Sequence, residues 1–240
     1  MATSYGAPTV STKGLILAID AGDSNCMSSG DTSCTNMVTG GQLTGASGTP
    51  GSGAHTADTS NFPAYNSLYG GIFDFDGGKG MNCDENLGTT TTSTICMWFW
   101  RRTTADNGYF ADGRNGGGDW FLSNYSNQNI NWENRLQYKF NGAAATYDIT
   151  AFPTNQWIHM VAVSGPGGST LYLDGETPPE ALVASTSADE DFGTNYRIGT
   201  RYTTSRQWTG YMGPIFFYDR ELSADEAKQN FEAHRSRFGV

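Results

Sequence analysis

The sequence predicts an all-β protein, a two-sheet antiparallel β-sandwich closed by one short C-terminal α-helix. Three observations carry that prediction. Short apolar or alternating stretches recur between turns rich in Gly, Pro, Asn and Asp, with no strand–helix–strand alternation. The composition has 31 glycines, 13% aromatic and only 16% charged residues, which suits many short strands and tight turns better than a helical enzyme. Near the end, Ser223 followed by Glu226 forms a capping box, the signature of a helix start.

Taken in order, residues 1–12 are polar and read as an N-terminal arm, and "KGLILAID" (13–20) is the first strand, ended by the turn Asp20-Ala-Gly-Asp23. Residues 24–66 are dominated by Ser, Thr, Gly and Asn and read as a long surface loop, with at most one hairpin near "NMVTGGQLTG" and little share in the core. "GGIFDFDG" (70–77) alternates, placing Phe73 and Phe75 on one face and Asp74 and Asp76 on the other. "TSTICMWFWRRT" (92–103) is nearly continuous in apolar residues, as expected of a strand buried between two sheets. Strands follow at "NGYFADGR" and "DWFLSNYS" around a triple-glycine turn, at "NRLQYKFNG", and at "QWIHMVAVSG" paired with "STLYLDGE" across Gly165-Pro166-Gly167-Gly168. "YRIGT" (196–200) and "GYMGPIFFYDR" (210–220) complete the set. The closing helix is expected over 224–235, with Ala227 and Phe231 turned to the sandwich and Asp225, Lys228 and Glu232 to water. At 240 residues one domain, 13–240, accommodates all of this.

Charge and cysteine usage exclude several classes of function. A net charge of −10 and a pI near 4.6 argue against a nucleic-acid partner, because phosphate binding needs a basic surface. The first twenty residues lack a signal-peptide pattern and no apolar stretch is long enough to span a bilayer, so a chain without a membrane partner, either cytoplasmic at synthesis or exported by another route, is expected. Spacing leaves disulfides Cys26–Cys34 and Cys83–Cys96 open, while a reducing compartment favours free thiols. There is no C-x-x-C pair, and His55, His159 and His234 do not sit at zinc-ligand spacing.

Several segments together resemble the laminin-G-like, concanavalin-A-like lectin jelly-roll family: Gly14 to Asp20, Phe73-Asp-Phe-Asp-Gly77, Trp157-Ile-His-Met-Val161, Leu171-Tyr-Leu-Asp-Gly175, Arg197-Ile-Gly199 and Gly210 to Ser223. The closing Arg-x-Leu-Ser-x-x-Glu and the helix ending Ser-Arg-Phe-Gly look most like the variant in structural proteins of tailed bacterial viruses. That resemblance implies a non-enzymatic virion protein, a capsid decoration, fibre or tail component, made in the host cytoplasm. It implies a homo-oligomer, first a trimer, docked on other virion proteins, with the N-terminal arm and residues 24–66 ordering on a neighbouring subunit. Phe231, Arg235 and Arg237 of the tail are then the candidate assembly contacts.

The same resemblance implies surface glycans as a second class of partner, bound as by a lectin-like module or adhesin. Sugar faces stack on aromatics while Asn and Asp fix hydroxyls, and the stretch 112–135 combines Trp120, Tyr125 and Trp132 with Asp112, Asn115, Asp119 and Asn127. Trp120 and Trp132 are equally suited to a core. Calcium is the one cofactor to weigh: Asp74 and Asp76, on one side of a strand, offer half a site or simply two solvated carboxylates. Glycoside hydrolysis is expected to be absent. The Glu-x-Asp-x-x-Glu pattern of the superfamily's glucanases does not occur, Asp189-Glu190-Asp191 is consecutive, and Glu133 stands alone.

Overall fold

Period-two alternation produces the observed elements, and hydrogen-bond register assembles them. The computed structural model describes residues 9–47, 56–57, 59–102, 108–114, 120–124, 135–140, 145–148, 153–176, 190–192, 196–201 and 207–240. The strands begin with β1 (Leu15–Ile19), β2 (Ser33–Thr35), β3 (Gln42–Ser47), β4 (Thr56–Ala57), β5 (Ala64–Asn66) and β6 (Ile72–Asp76). They continue with β7 (Met81–Cys83), β8 (Thr89–Thr90), β9 (Ser93–Arg101), β10 (Gly108–Asp112), β11 (Trp120–Asn124) and β12 (Arg135–Phe140). The last are β13 (Ala145–Asp148), β14 (Trp157–Gly165), β15 (Gly168–Leu173), β16 (Glu190–Asp191), β17 (Tyr196–Ile198) and β18 (Thr209–Tyr218), followed by α1 (Ala224–Phe238).

Two antiparallel sheets face each other. The seven-stranded sheet runs β15-β14-β9-β18-β6-β5, with β1 also paired to β18. The nine-stranded sheet runs β13-β12-β11-β10-β17-β7-β3-β2, with β4 on β3, and β8 pairs separately with β16. Between the sheets lies the main core, which includes Phe73, Phe75, Ile95, Met97, Phe99, Trp120, Leu122, Tyr138, Ile158, Met160, Ile198 and Phe217. The β14–β15 hairpin closes through Pro166-Gly167, with Gly165 opposite Gly168, as the sequence predicts.

The apolar run of β9 has a different cause from the one expected. Ile95, Met97 and Phe99 enter the inter-sheet core, whereas Cys96 and Trp98 lie on the other face beneath α1. Trp157 and Val161 of β14 likewise belong to this helix-side layer. A helix, not a second sheet, therefore covers one side of these strands.

The Ser/Thr/Gly-rich segment 24–66 is not a loop insertion. Its β3 pairs with β7 and β2 within the nine-stranded sheet, and Cys26, Met27, Cys34, Leu43 and Phe62 are core residues. The anticipated hairpin there is real, as β2 and β3. All four cysteines are buried free thiols. Cys26 and Cys34 lie in the same core cluster and influence each other, the Cys26 pKa lowered chiefly by Cys34 and the Cys34 pKa raised chiefly by burial. Cys83 faces the inter-sheet core and Cys96 the helix side, so the sheet itself separates that pair. Burial pushes the Cys83 thiol up to about 11 and the Cys96 thiol up to about 12, which keeps both protonated and unreactive at neutral pH.

The helix is three residues longer than predicted and ends in a left-handed Gly239, with φ 74°. At its start the Ser223 hydroxyl accepts from the Glu226 amide at 3.3 Å, and the Glu226 carboxylate accepts from the Ser223 amide at 3.0 Å. Arg220 grips both Glu226 oxygens, at 2.8 and 2.5 Å, and donates to the Lys13 carbonyl at 2.7 Å and the Ser11 hydroxyl at 3.0 Å. Ser11 further donates its amide to Asn230 at 2.8 Å, and Gln229 donates to the Thr9 carbonyl at 2.6 Å. Residues 9–13 are thus strapped to the chain's own helix end, where the sequence reading expected an arm laid on a neighbour.

Candidate functional site

The outer face of the nine-stranded sheet is unusual because it is polar and yet buried. Register places Phe121 of β11 beside Asp112 of β10, Asp112 beside Arg197 of β17, and Arg197 beside Asn82 of β7. Lys139 of β12 and Thr44 of β3 continue the row at its two ends. A second row holds Tyr109 opposite Ser123, and Ser123 opposite Gln137. Each of these residues alternates with a core residue, so the strand pleat that fills the core also aligns this face. Asp112, Arg197 and Asn82 are no more than 1% exposed.

Polar groups at such depth need partners, and the partnering is incomplete. Arg114 holds Asp112 with Nε and its amide to Oδ1, both at 3.0 Å, and with Nη2 to Oδ2 at 2.6 Å. Burial works against the Arg114 cation, but this paired carboxylate overrides it and holds the guanidinium above its usual range. The same guanidinium lies 4.4 Å from the Phe121 ring centroid and 5.1 Å from that of Tyr109, and the two rings meet edge to face at 5.7 Å. Asn82 donates to Asp84 at 2.8 Å, but among the described residues its carbonyl oxygen has no partner, nor does the Ser123 hydroxyl. Burial lowers the Arg197 pKa, while Asp112 and Asp84 oppose the shift. The arrangement gathers an acceptor, a hydroxyl, a cation and aromatic edges in one buried layer, chemically the inventory that meets a polyhydroxylated ligand.

Sequence reasoning looked for the glycan-binding residues within 112–135, the stretch that supplies Asp112, Phe121 and Ser123 of this face, but of these it chose only Asp112. Trp120 is fully buried in the core, meets Phe192, Tyr196 and Phe217, and donates its indole N–H to the Phe192 carbonyl at 2.8 Å, so it is no sugar platform. Asn115, Tyr125, Asn127 and Trp132 lie outside the described residues. Asp74 and Asp76 do share a strand face, but Asp74 is ion-paired with Arg102 and Asp76 accepts from the Gly78 amide at 3.1 Å. A guanidinium on one of two carboxylates does not fit half a calcium site, and among the described residues no three His, Cys, Asp or Glu side chains converge on a metal position. Of the proposed assembly contacts, Phe231 stacks on Trp98 at 5.6 Å. Arg237 spans Asp20 at 2.7 and 3.0 Å and the Tyr69 carbonyl at 2.6 Å. Both are engaged within the chain. Arg235 is half exposed and pairs along the helix with Glu232 at 2.9 Å.

The family profile of the concanavalin A-like lectin/glucanases superfamily, laminin G type 3, matches residues 75–228. The chain belongs to this superfamily. Its matched span includes every member of the buried polar row except Thr44. No curated protein sequence matches this lectin/glucanase-type chain. Among solved structures it is similar to domain 4 of AbnA, a GH43 extracellular arabinanase from Geobacillus stearothermophilus, in complex with arabinotriose. There the TM-score is 0.61 at 14% identity, over 90% of this chain and 97% of that one. It is also similar to the botulinum neurotoxin serotype D ligand-binding domain in complex with N-acetylneuraminic acid, with a TM-score of 0.61, 11% identity and coverage of 91% and 50%. A third similar structure is that of botulinum neurotoxin type C, whose cell entry depends on two ganglioside molecules, with a TM-score of 0.62, 8% identity and coverage of 92% and 51%. The lectin/glucanase-type chain spans about half the length of these toxin chains, and identities this low carry the fold alone.

What sequence reasoning missed is the row itself. Asp112 stands among the polar residues expected to fix sugar hydroxyls, but Asn82 and Arg197 come from strands far from it in the sequence, and each looks like the polar partner in an ordinary alternating strand. The "YRIGT" segment of the lectin/glucanase resemblance did contain Arg197, but as a fold marker.

Proposed function

We propose that the domain binds oligosaccharide without chemical turnover, across the outer face of the nine-stranded sheet. The observation that carries this reading is the buried row Phe121–Asp112–Arg197–Asn82, with the Asn82 carbonyl and the adjacent Ser123 hydroxyl left unpartnered. Unmet buried groups cost free energy unless a ligand or water completes them, and sugar hydroxyls both donate and accept. The glycan complexes named for two similar folds agree with a carbohydrate ligand class. The non-enzymatic part of the proposal rests on Asp112: both its oxygens are held by Arg114, which leaves none free to deliver a proton to a leaving group.

The test is calorimetric titration of the full chain with arabinotriose and with sialyllactose. The expected result is saturable binding of at least one, with Asn82→Ala plus Ser123→Ala weakening it about tenfold, as lost hydrogen bonds of this kind do. Unchanged affinity in a double variant that melts like the parent would sink the assignment of this face. Reducing-sugar release from either probe would sink the non-enzymatic part.

A wider role as a structural part of a tailed-virus particle is supported by the closing Arg-x-Leu-Ser-x-x-Glu. In this chain it is a working unit, in which Arg220, Ser223 and Glu226 lock the helix start to residues 9–13. Light scattering with and without calcium checks the assembly: a stable trimer is expected, and a monomer in both conditions would remove this reading while leaving glycan binding untouched.

A further inference from the structure

The seven-stranded sheet also has an outer face, and α1 covers only part of it. The helix ends on Phe238, whose ring packs 4.6 Å from Trp98 and 4.3 Å from Trp157. Beyond that point one cross-strand row continues in register: Trp157 of β14, Trp100 of β9, Tyr211 of β18 and Asp74 of β6. Adjacent strands stand about 4.8 Å apart, and the ring centroids follow, 5.8 Å from Trp157 to Trp100 and 6.4 Å from Trp100 to Tyr211. Gly210, with φ 147°, makes this approach of β18 to β9 feasible, since a Cβ there would run into the Trp100 carbonyl.

Three features make the row more than a helix seat. Trp100 and Tyr211 stay partly open to water with the helix in place, and Tyr69, 36% exposed, adds a ring 5.4 Å from Trp157 and 6.3 Å from Trp100. Tyr69 is held in the left-handed region, φ 53°, where its carbonyl accepts from Arg237 at 2.6 Å. The Trp157 indole N–H is buried without an acceptor. At the far end, Arg102 lies 4.5 Å over the Tyr211 ring and ion-pairs with Asp74.

We infer that Trp100, Tyr211 and Tyr69, backed by the buried Trp157, form a second glycan site, a twisted aromatic platform for successive rings of an extended, neutral oligosaccharide. Aromatic faces accept the C–H faces of sugar rings, while Arg102 and Asp74 present a donor and an acceptor for hydroxyls at one end. Neutral sugars fit best, because the Arg102–Asp74 pair cancels its own charge and a chain of net charge −10 repels anions. The proposal shares only its ligand class with the function proposed above; its residues lie on the opposite face of the sandwich. One domain could then hold two glycan chains, or two turns of one chain, and gain from linkage.

The experiment titrates the full chain with cellopentaose, xylopentaose and arabinopentaose, read by calorimetry and tryptophan emission, with sialyllactose as the anionic control. Wild type is expected to bind at least one neutral pentaose with an emission change. Trp100→Ala with Tyr211→Ala should weaken that binding about tenfold, the loss of two ring contacts. Tyr69→Asn, which tolerates the left-handed backbone, should weaken it severalfold without touching the core. If both variants bind as wild type does while Asn82→Ala plus Ser123→Ala does not, the platform is refuted and the other face stands. If no pentaose changes the emission, the platform is refuted outright. If emission instead follows protein concentration together with a doubling of mass, the patch is a contact between copies of the chain, which also overturns it.

Discussion

Trp120→Ala lowers stability by about 3–5 kcal/mol, the cost of emptying a large buried aromatic site, and moves the melting temperature by on the order of 10 °C in a domain of this size. The indole is fully buried, edge-on to Phe192 and Phe217, and its N–H reaches the Phe192 carbonyl at 2.8 Å. Truncation therefore leaves a cavity and also orphans a carbonyl. Trp120→Phe, which keeps most of the ring volume and loses only the N–H, should cost less than half as much. Urea unfolding of the two variants checks both figures. A Trp120→Ala protein that melts like its parent but loses glycan affinity would return this residue to the binding role that its place in the sequence suggests.

Acid stability is the second large expectation. His159 is completely buried beneath α1, with Nε2 3.2 Å from the Cys96 sulfur and Nδ1 without a partner. Burial, helped by the nearby His234, pulls its pKa down to about 3. In the unfolded chain the imidazole titrates near 6.5. Between those values the unfolded state carries a proton that the folded state refuses, so stability falls as pH falls, by about 1.4 kcal/mol per unit. The loss should begin below about pH 6.5 and reach about 2–3 kcal/mol by pH 4.5. His234, lowered chiefly by burial, acts in the same sense. Asp174, raised by burial and bound to the His159 amide at 2.8 Å, acts in the opposite sense at lower pH. Glu226, held down to about 2 chiefly by Arg220, contributes stability above its usual range and loses it as pH falls from about 4.5 towards 2, a separate window. Unfolding free energies at half-unit steps from pH 7 to 4.5 test the histidine share. A flat profile there would mean that His159 takes up its proton without loosening the helix.

The fold was legible where local pattern and tertiary role coincide. The strands at 72–76, 93–101, 157–165 and 209–218 announce themselves by apolar alternation or continuity, and Ser223 with Glu226 fixes the helix start to the residue. Legibility failed where one or two core residues carry a whole strand. In "QLTGAS" the core group is Leu43, and its strand is specified by pairing with Met81–Cys83 rather than by its own composition. The candidate sites failed to show for a related reason. Asn82, Asp112 and Arg197, or Trp100, Tyr211 and Asp74, become neighbours only through sheet register, and register depends on contacts between distant segments. Trp120 misled because an aromatic beside Asn and Asp reads the same whether it points into a core or out of it.

Strand β18 comes last in sequence among the described strands of this domain and lies near the middle of its sheet, hydrogen-bonded to β9, β6 and β1. β9 and β14, with their near-continuous apolar faces, both precede in sequence the strand that joins them to β6. Loop closure over such separations makes the search slow and leaves sheet edges open meanwhile. The topology thus ties completion of the seven-stranded sheet to the arrival of β18, and until it pairs, the edges of β9 and β6 stay open to wrong partners.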